Sequence, residues 1–175
     1  VHTIADICIL VADDSKEMRT LVRALLRAGG ATHVVEAESG EEAFALLRRH
    51  RIDLLITDWK MAPLDGLALT HMVRRSAQSP NPFIPILMLT AFTETSRVIA
   101  ARDAGVSGFI KKPISAQLLF DRVSGALTDT RLFVRCETYM GPDRRRGQSA
   151  SYAGPFRRET DPAQSIDLDD LRWIA

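Results

Sequence analysis

The chain has 175 residues, of which 46% are hydrophobic, and a formal net charge of +1. That length suits one ordinary domain with an appendage, and the near-neutral balance excludes bulk attraction to nucleic acid or membrane. No apolar run approaches the roughly 20 residues of a membrane span and no basic-then-apolar leader opens the chain, so a cytoplasmic protein is expected, with Cys8 a buried, reduced thiol in a strand-like run.

Strand and helix signals alternate over residues 1–127. Ile7 to Val11 is a continuous apolar run, as expected of a strand covered on both faces. Ser15 is placed to cap a helix whose Met18, Leu21, Val22, Leu25 and Leu26 share one face, and Gly29-Gly30 stop it. Val34 to Ala37 reads as a short strand, and Ser39 caps a helix facing Ala43, Phe44, Leu46 and Leu47 inward. Ile52 to Thr57 is the next strand, closed by Asp58. A helix follows Asp65-Gly66 through Leu67, Leu69, Met72 and Val73, and a proline-rich turn leads to a strand over Ile84 to Thr90. A helix over 94–104 is closed by Gly105, a short strand spans Gly108 to Lys111, and Ser115 caps a last helix through Leu127. Five such βα units in series predict an α/β fold with a doubly wound parallel sheet and right-handed crossovers. Ligands in these sheets bind beyond the carboxyl ends of the strands.

Asp13-Asp14, Asp58, Thr90 and Lys112-Pro113 each follow such a run, so the sheet gathers them at one edge. Three carboxylates there repel one another unless a cation sits among them. Phosphoryl transfer to a carboxylate needs this set: an exposed acceptor, a divalent cation and donors for the charge that builds up. Asp58 can accept, Asp13 and Asp14 offer the hard oxygens that Mg²⁺ prefers, Thr90 offers a hydroxyl and Lys112 an ammonium. Pro113 can fix the bend that aims Lys112. Asp13-Asp14 alone would also read as an acidic pair at a helix start.

From Thr128 the βα period stops, and an extension, 128–175, of irregular structure is expected. Residues 131–158 carry seven arginines against two acids, whereas 159–175 carry five acids against one arginine. Tyr-x-Gly-Pro-x-Arg-Arg occurs at 139–145 and again at 152–158. Gly-Pro favours a turn and an extended residue before the proline. Tyr139, Arg144, Arg145, Tyr152, Arg157 and Arg158 are therefore candidate ligand or partner contacts. Pairing with acidic helix faces, a dimer or partner contact, and an anionic ligand remain open for them. The apolar Ile166, Leu168, Leu171, Trp173 and Ile174 read as a short docking helix.

Ile9-Leu10-Val11-Ala12-Asp13-Asp14-Ser15, Ile56-Thr57-Asp58-Trp59-Lys60-Met61, Asp65-Gly66, Met88-Leu89-Thr90-Ala91 and Gly108-Phe109-Ile110-Lys111-Lys112-Pro113 together resemble the response-regulator receiver domain of two-component signalling. The resemblance covers roughly residues 5–127 and implies a flavodoxin/CheY-like sheet of order 2-1-3-4-5. It implies that Asp58 is the phosphoacceptor. Mg²⁺ would be held by Asp14, Asp58 and the Lys60 carbonyl, with Asp13 acting through water. It implies that Thr90 and Phe109 form a switch pair, although Phe109 alone also reads as a core aromatic. The family often has Pro directly after the Met of this loop; here Ala62 holds that place and Pro63 follows. Lys60, bulky and cationic, is expected to alter the phosphoryl lifetime.

The expected function is a phosphorylation-dependent switch. A histidine kinase or histidine phosphotransfer protein donates to Asp58, and an output protein, or a second copy in a homodimer, reads the result. An alternative is a receiver-like adaptor whose tail binds an anionic ligand; the tail distantly resembles Arg-rich extensions of receiver-like proteins that bind cyclic di-GMP. A haloacid-dehalogenase-like phosphohydrolase would need a second acid where Lys60 stands. Direct DNA binding is not expected, because the Gly-Pro-broken extension supplies no recognition helix.

Overall fold

The structure, a computed structural model, describes residues 4–91, 95–129, 131–136 and 138–143. After a 3-10 turn at Ile4–Asp6, the order is β1 (Cys8–Ala12), α1 (Lys16–Ala28), β2 (His33–Ala37), α2 (Gly40–Arg49), β3 (Leu54–Asp58), α3 (Gly66–Arg75), β4 (Ile86–Thr90), α4 (Thr95–Ala104), β5 (Gly108–Lys111) and α5 (Ala116–Leu127). The starts of four helices follow from short polar side chains. Ser15, Ser39, Asp65 and Ser115 each accept a hydrogen bond from the amide three residues on, meeting donors that the helix leaves orphaned.

The five strands are all parallel in the order β2-β1-β3-β4-β5. β3 and β4 are buried along their whole length, which is why they read as unbroken apolar runs. Alternate residues feed two cores. Ile9, Val11, Leu54, Ile56, Leu87 and Leu89 meet Val22 and Leu26 of α1 and Leu119 and Val123 of α5. Leu10, Leu55 and Ile86 meet Ala43, Phe44 and Leu47 of α2 and Leu69 and Val73 of α3. Trp59, Met88, Ala101, Val106 and Phe109 make a third cluster under α4. Burying each large aliphatic side chain contributes about 1.5–3 kcal/mol. Leu21, expected to face inward, is 43% exposed; it lies at the margin of the α1 stripe that Met18, Val22, Leu25 and Leu26 fill.

Beyond α5 the chain forms an antiparallel hairpin, β6 (Phe133–Arg135) and β7 (Met140–Pro142). This stretch of the extension is therefore regular where irregular structure was expected. The turn falls before Tyr139, closed by the Cys136 amide donating to the Tyr139 carbonyl at 2.8 Å. Gly141 and Pro142 lie in the strand instead of the turn. Gly141 is extended, as the following proline favours, and Pro142, which has no N–H to donate, ends the ladder. The hairpin rests on the turn after α4. A Cβ at Gly105, whose φ is +99°, would lie 2.2 Å from the Met140 carbonyl oxygen, and one at Gly141 would lie 2.7 Å from the Gly105 Cα. Only glycine fits both that φ and that approach.

Candidate functional site

The carboxyl ends of β1, β3, β4 and β5 bring Asp13, Asp14, Asp58, Thr90 and Lys112 to one edge, as their places in the sequence predict. Asp13 and Thr90 are buried and Asp14 is exposed, whereas Asp58, expected to be an exposed acceptor, is only 7% exposed. One carboxylate oxygen from each of Asp13, Asp14 and Asp58 falls within a single 4.8 Å cluster. Lys112 Nζ donates to Asp58 Oδ1 at 2.8 Å and to Asp13 Oδ2 at 3.3 Å. Main-chain bonds fix these ends relative to each other: Lys112 N to the Thr90 carbonyl at 2.8 Å, Trp59 N to Leu89 at 3.1 Å and Gly66 N to Trp59 at 3.0 Å. The start of α3 is pressed against the acceptor strand, since a Cβ at Gly66 would lie 2.1 Å from the Asp58 carbonyl oxygen. The Lys112-Pro113 and Ala62-Pro63 peptides are cis.

Among the described residues, the charges paired at this edge do not balance. Burial pushes the Asp58 carboxyl above its ordinary value; the Lys112 ammonium pulls it back, and the Asp13 charge adds to the rise. For Lys112, burial works downward, but the bonds and charges of Asp58 and Asp13 outweigh it and hold the ammonium above its ordinary value. Among the described residues, the ammonium of Lys112 pairs with two of the three carboxylates, and the donors are hard oxygens in a tight cluster. A small divalent cation such as Mg²⁺ fits that set in charge and ligand type.

The other expected residues divide. Lys60 is exposed directly after Trp59. Phe109, opposite Met88 in the β4–β5 register, is buried with Trp59 and Met88. Tyr139, expected as a ligand or partner contact, is 6% exposed and its hydroxyl donates to the Pro142 carbonyl at 2.6 Å. Arg144, Arg145, Tyr152, Arg157 and Arg158 lie outside the described residues, as does the apolar set at 166–174.

Sequence reasoning missed two buried arginines. Arg19 in α1 donates from Nη1 to the Asp13 carbonyl and from Nη2 to Glu38, both at 2.8 Å, and its Nε lies 3.4 Å from Glu36. Arg74 in α3 donates to the carbonyls of Gly105, Pro82 and Ile84. Spacing held a signal for both: Arg19 precedes the buried Val22 and Leu26 by three and seven residues, and Arg74 follows the buried Thr70 by four.

The family model described as the response regulator receiver domain matches residues 9–124. The chemotaxis protein CheY of Pseudomonas aeruginosa is 37% identical over 124 residues, 67% of this chain and 98% of the relative. CheY-3 of Vibrio cholerae is 35% identical over 115 residues, 66% of this chain and 87% of the relative. Among solved structures, CheY4 of Vibrio cholerae superposes with a TM-score of 0.64 at 30% identity, covering 69% of this chain and 98% of the other. The receiver domain of the Francisella response regulator 1452 gives 0.62 at 28% identity, covering 69% and 96%. The chain belongs to the response-regulator receiver family of two-component signalling.

Proposed function

We propose that the protein is a switch set by phosphorylation of Asp58, with Mg²⁺ bound and a phosphohistidine protein as donor. The observation that carries this reading is the Asp58 carboxylate at the end of β3, 2.8 Å from Lys112 Nζ and within one oxygen cluster with Asp13 and Asp14. The Asp58 oxygen attacks phosphorus, an O–P bond forms, and the N–P bond to the donor imidazole breaks; the imidazole takes up a proton from solvent. Mg²⁺, held by Asp14, Asp58 and the Lys60 carbonyl with Asp13 through water, would neutralise phosphoryl oxygens during transfer. Lys112, kept as an ammonium by its carboxylate partners, stays charged and faces the incoming oxygens. Thr90, at the end of the neighbouring strand, donates its hydroxyl to the phosphoryl group, and Phe109, packed against Met88, adjusts with it. A covalent charge that favours one of two such arrangements shifts their populations. The partner is a histidine kinase or phosphotransfer protein upstream and an output protein downstream.

Incubation of the full chain with a small phosphodonor and Mg²⁺, followed by intact mass, tests this. The parent is expected to gain one phosphoryl mass, and Asp58→Asn or a chelator to abolish the gain. No gain in the parent defeats the proposal.

A further inference from the structure

The hairpin leaves a cleft of about 300 Å³ against the end of α3, lined by Arg74, Arg75, Arg135, Cys136 and Met140. It lies at the edge of the sheet opposite Asp58, because Arg74 binds carbonyls that precede β4 and β5: Pro82 and Ile84 at 2.7 Å, and Gly105 at 3.0 Å. Among the described residues, three guanidiniums line the cleft and no carboxylate does. Among the described residues, none of the three is in an ion pair.

Arg74 is 2% exposed. Its Nε and Nη1 are taken by carbonyls, Nη2 is buried with no hydrogen-bond partner, and the guanidinium carbon sits 5.1 Å from the centre of the Phe133 ring. Burial pulls its pKa down to about 9, which still leaves a full positive charge at neutral pH. Carbonyl dipoles and a ring face do not neutralise that charge. Arg75 reaches across the cleft to the Thr138 carbonyl, and Arg135 stands on β6 opposite Met140. Arg75 and Arg135 are exposed at the mouth of the cleft and Arg74 is buried at its base, so the cleft carries a positive charge that attracts an anion. Guanidinium forks match the paired oxygens of a phosphate. A cleft of about 300 Å³ is at the small end of ligand sites and suits one phosphate group with a small carrier.

We propose that this cleft binds a phosphate-class anion of phosphomonoester size, gripped by Arg75 and Arg135, with Arg74 as the buried countercharge. The free anion and the phosphate of a small nucleotide share that chemistry, and the test separates them.

The full chain carrying Asp58→Asn is titrated without Mg²⁺ at pH 7 and fixed ionic strength, so the outcome does not depend on phosphoryl transfer. The probes are inorganic phosphate and adenosine 5′-monophosphate, with chloride as the control, read by calorimetry and by amide shifts. Saturable binding is expected, with shifts at residues 74–76 and 133–140. Arg75→Gln and Arg135→Gln are each expected to weaken it roughly tenfold with unchanged circular dichroism, and Arg135→Lys to weaken it less. Tighter binding of the nucleotide marks the organic group as part of the ligand; equal binding marks phosphate alone. The proposal is overturned if neither probe saturates, or if both Gln variants bind like the parent. It is also overturned if only replacing the arginines at 144–146 removes binding.

Discussion

Asp58 sits 2.8 Å from an ammonium and still titrates above an ordinary carboxylate, because burial and the Asp13 charge outweigh the pairing. The folded chain therefore holds this proton to higher pH than the unfolded chain does. Below the ordinary carboxylate pKa both states are protonated and the site has no cost. As pH rises through the window between the unfolded and the raised folded value, the unfolded chain releases its proton first. The folded state loses stability across that window and recovers none above it. Asp58→Asn, near-isosteric and neutral, removes the cost. The variant is expected to melt above the parent at pH 7 in the absence of Mg²⁺, with the gap closing as pH falls below about 4. Thermal melts across pH check this; a variant that melts at or below the parent at pH 7 would contradict it. Mg²⁺ relieves the same repulsion by binding, so it is expected to raise the melting temperature of the parent far more than that of the variant.

At the scale of elements, the helices were legible in the sequence because their inward stripes and caps are local. Ser15, Ser39 and Ser115 cap as their positions predict. What was not legible is how a helix holds a strand end in place, because the partners are remote. Arg19 shows this. Its guanidinium ties α1 to the Asp13 carbonyl at 2.8 Å and to Glu36 and Glu38 at the end of β2, while the Asp13 carboxylate accepts from Ser15 N at 2.9 Å and from Lys112. The loop that offers two of the three acidic side chains is thus oriented by an arginine that touches none of their carboxylates. Groups that orient metal ligands typically matter 10- to 100-fold in affinity. Arg19→Ala is expected to weaken Mg²⁺ binding by roughly tenfold, followed by the fluorescence of Trp59 beside Asp58. Arg19→Lys, which keeps the charge but not the fork, is expected to recover part of it. An affinity within about twofold of the parent in a folded Arg19→Ala would show that the loop holds itself.

For the whole molecule, the sheet separates two charge systems. Acidic side chains gather where the strands end, and arginines gather where β4 and β5 begin. The acidic end was readable because five residues mark the ends of four strands in order. The basic end was not, for two reasons. Strands of three residues carry too little periodicity to be seen, and Gly141-Pro142 signals a turn where the chain makes a strand. The docking of that hairpin depends on backbone closeness, which no side-chain pattern records. Gly141 and Gly105 approach so nearly that an added Cβ at Gly141 would lie 2.7 Å from the Gly105 Cα and 2.5 Å from the Tyr139 hydroxyl. Backbone at Gly105 cannot yield freely, because its carbonyl holds Arg74 and its φ is +99°. Gly141→Ala therefore forces the hairpin off the α4–β5 turn at a cost of about 1–3 kcal/mol. The amides of Cys136 and Asp143, which donate within the hairpin region to Tyr139 and Leu132, are expected to exchange hydrogen faster. Mg²⁺ affinity should stay at the parental value, since the acidic edge is built from the other ends of the strands. Unchanged protection of those amides would mean that the hairpin is held by something other than its seat on Gly105. A fall in Mg²⁺ affinity would mean instead that β4, which runs from the Arg74 carbonyls to Thr90, carries the disturbance from one charge system to the other.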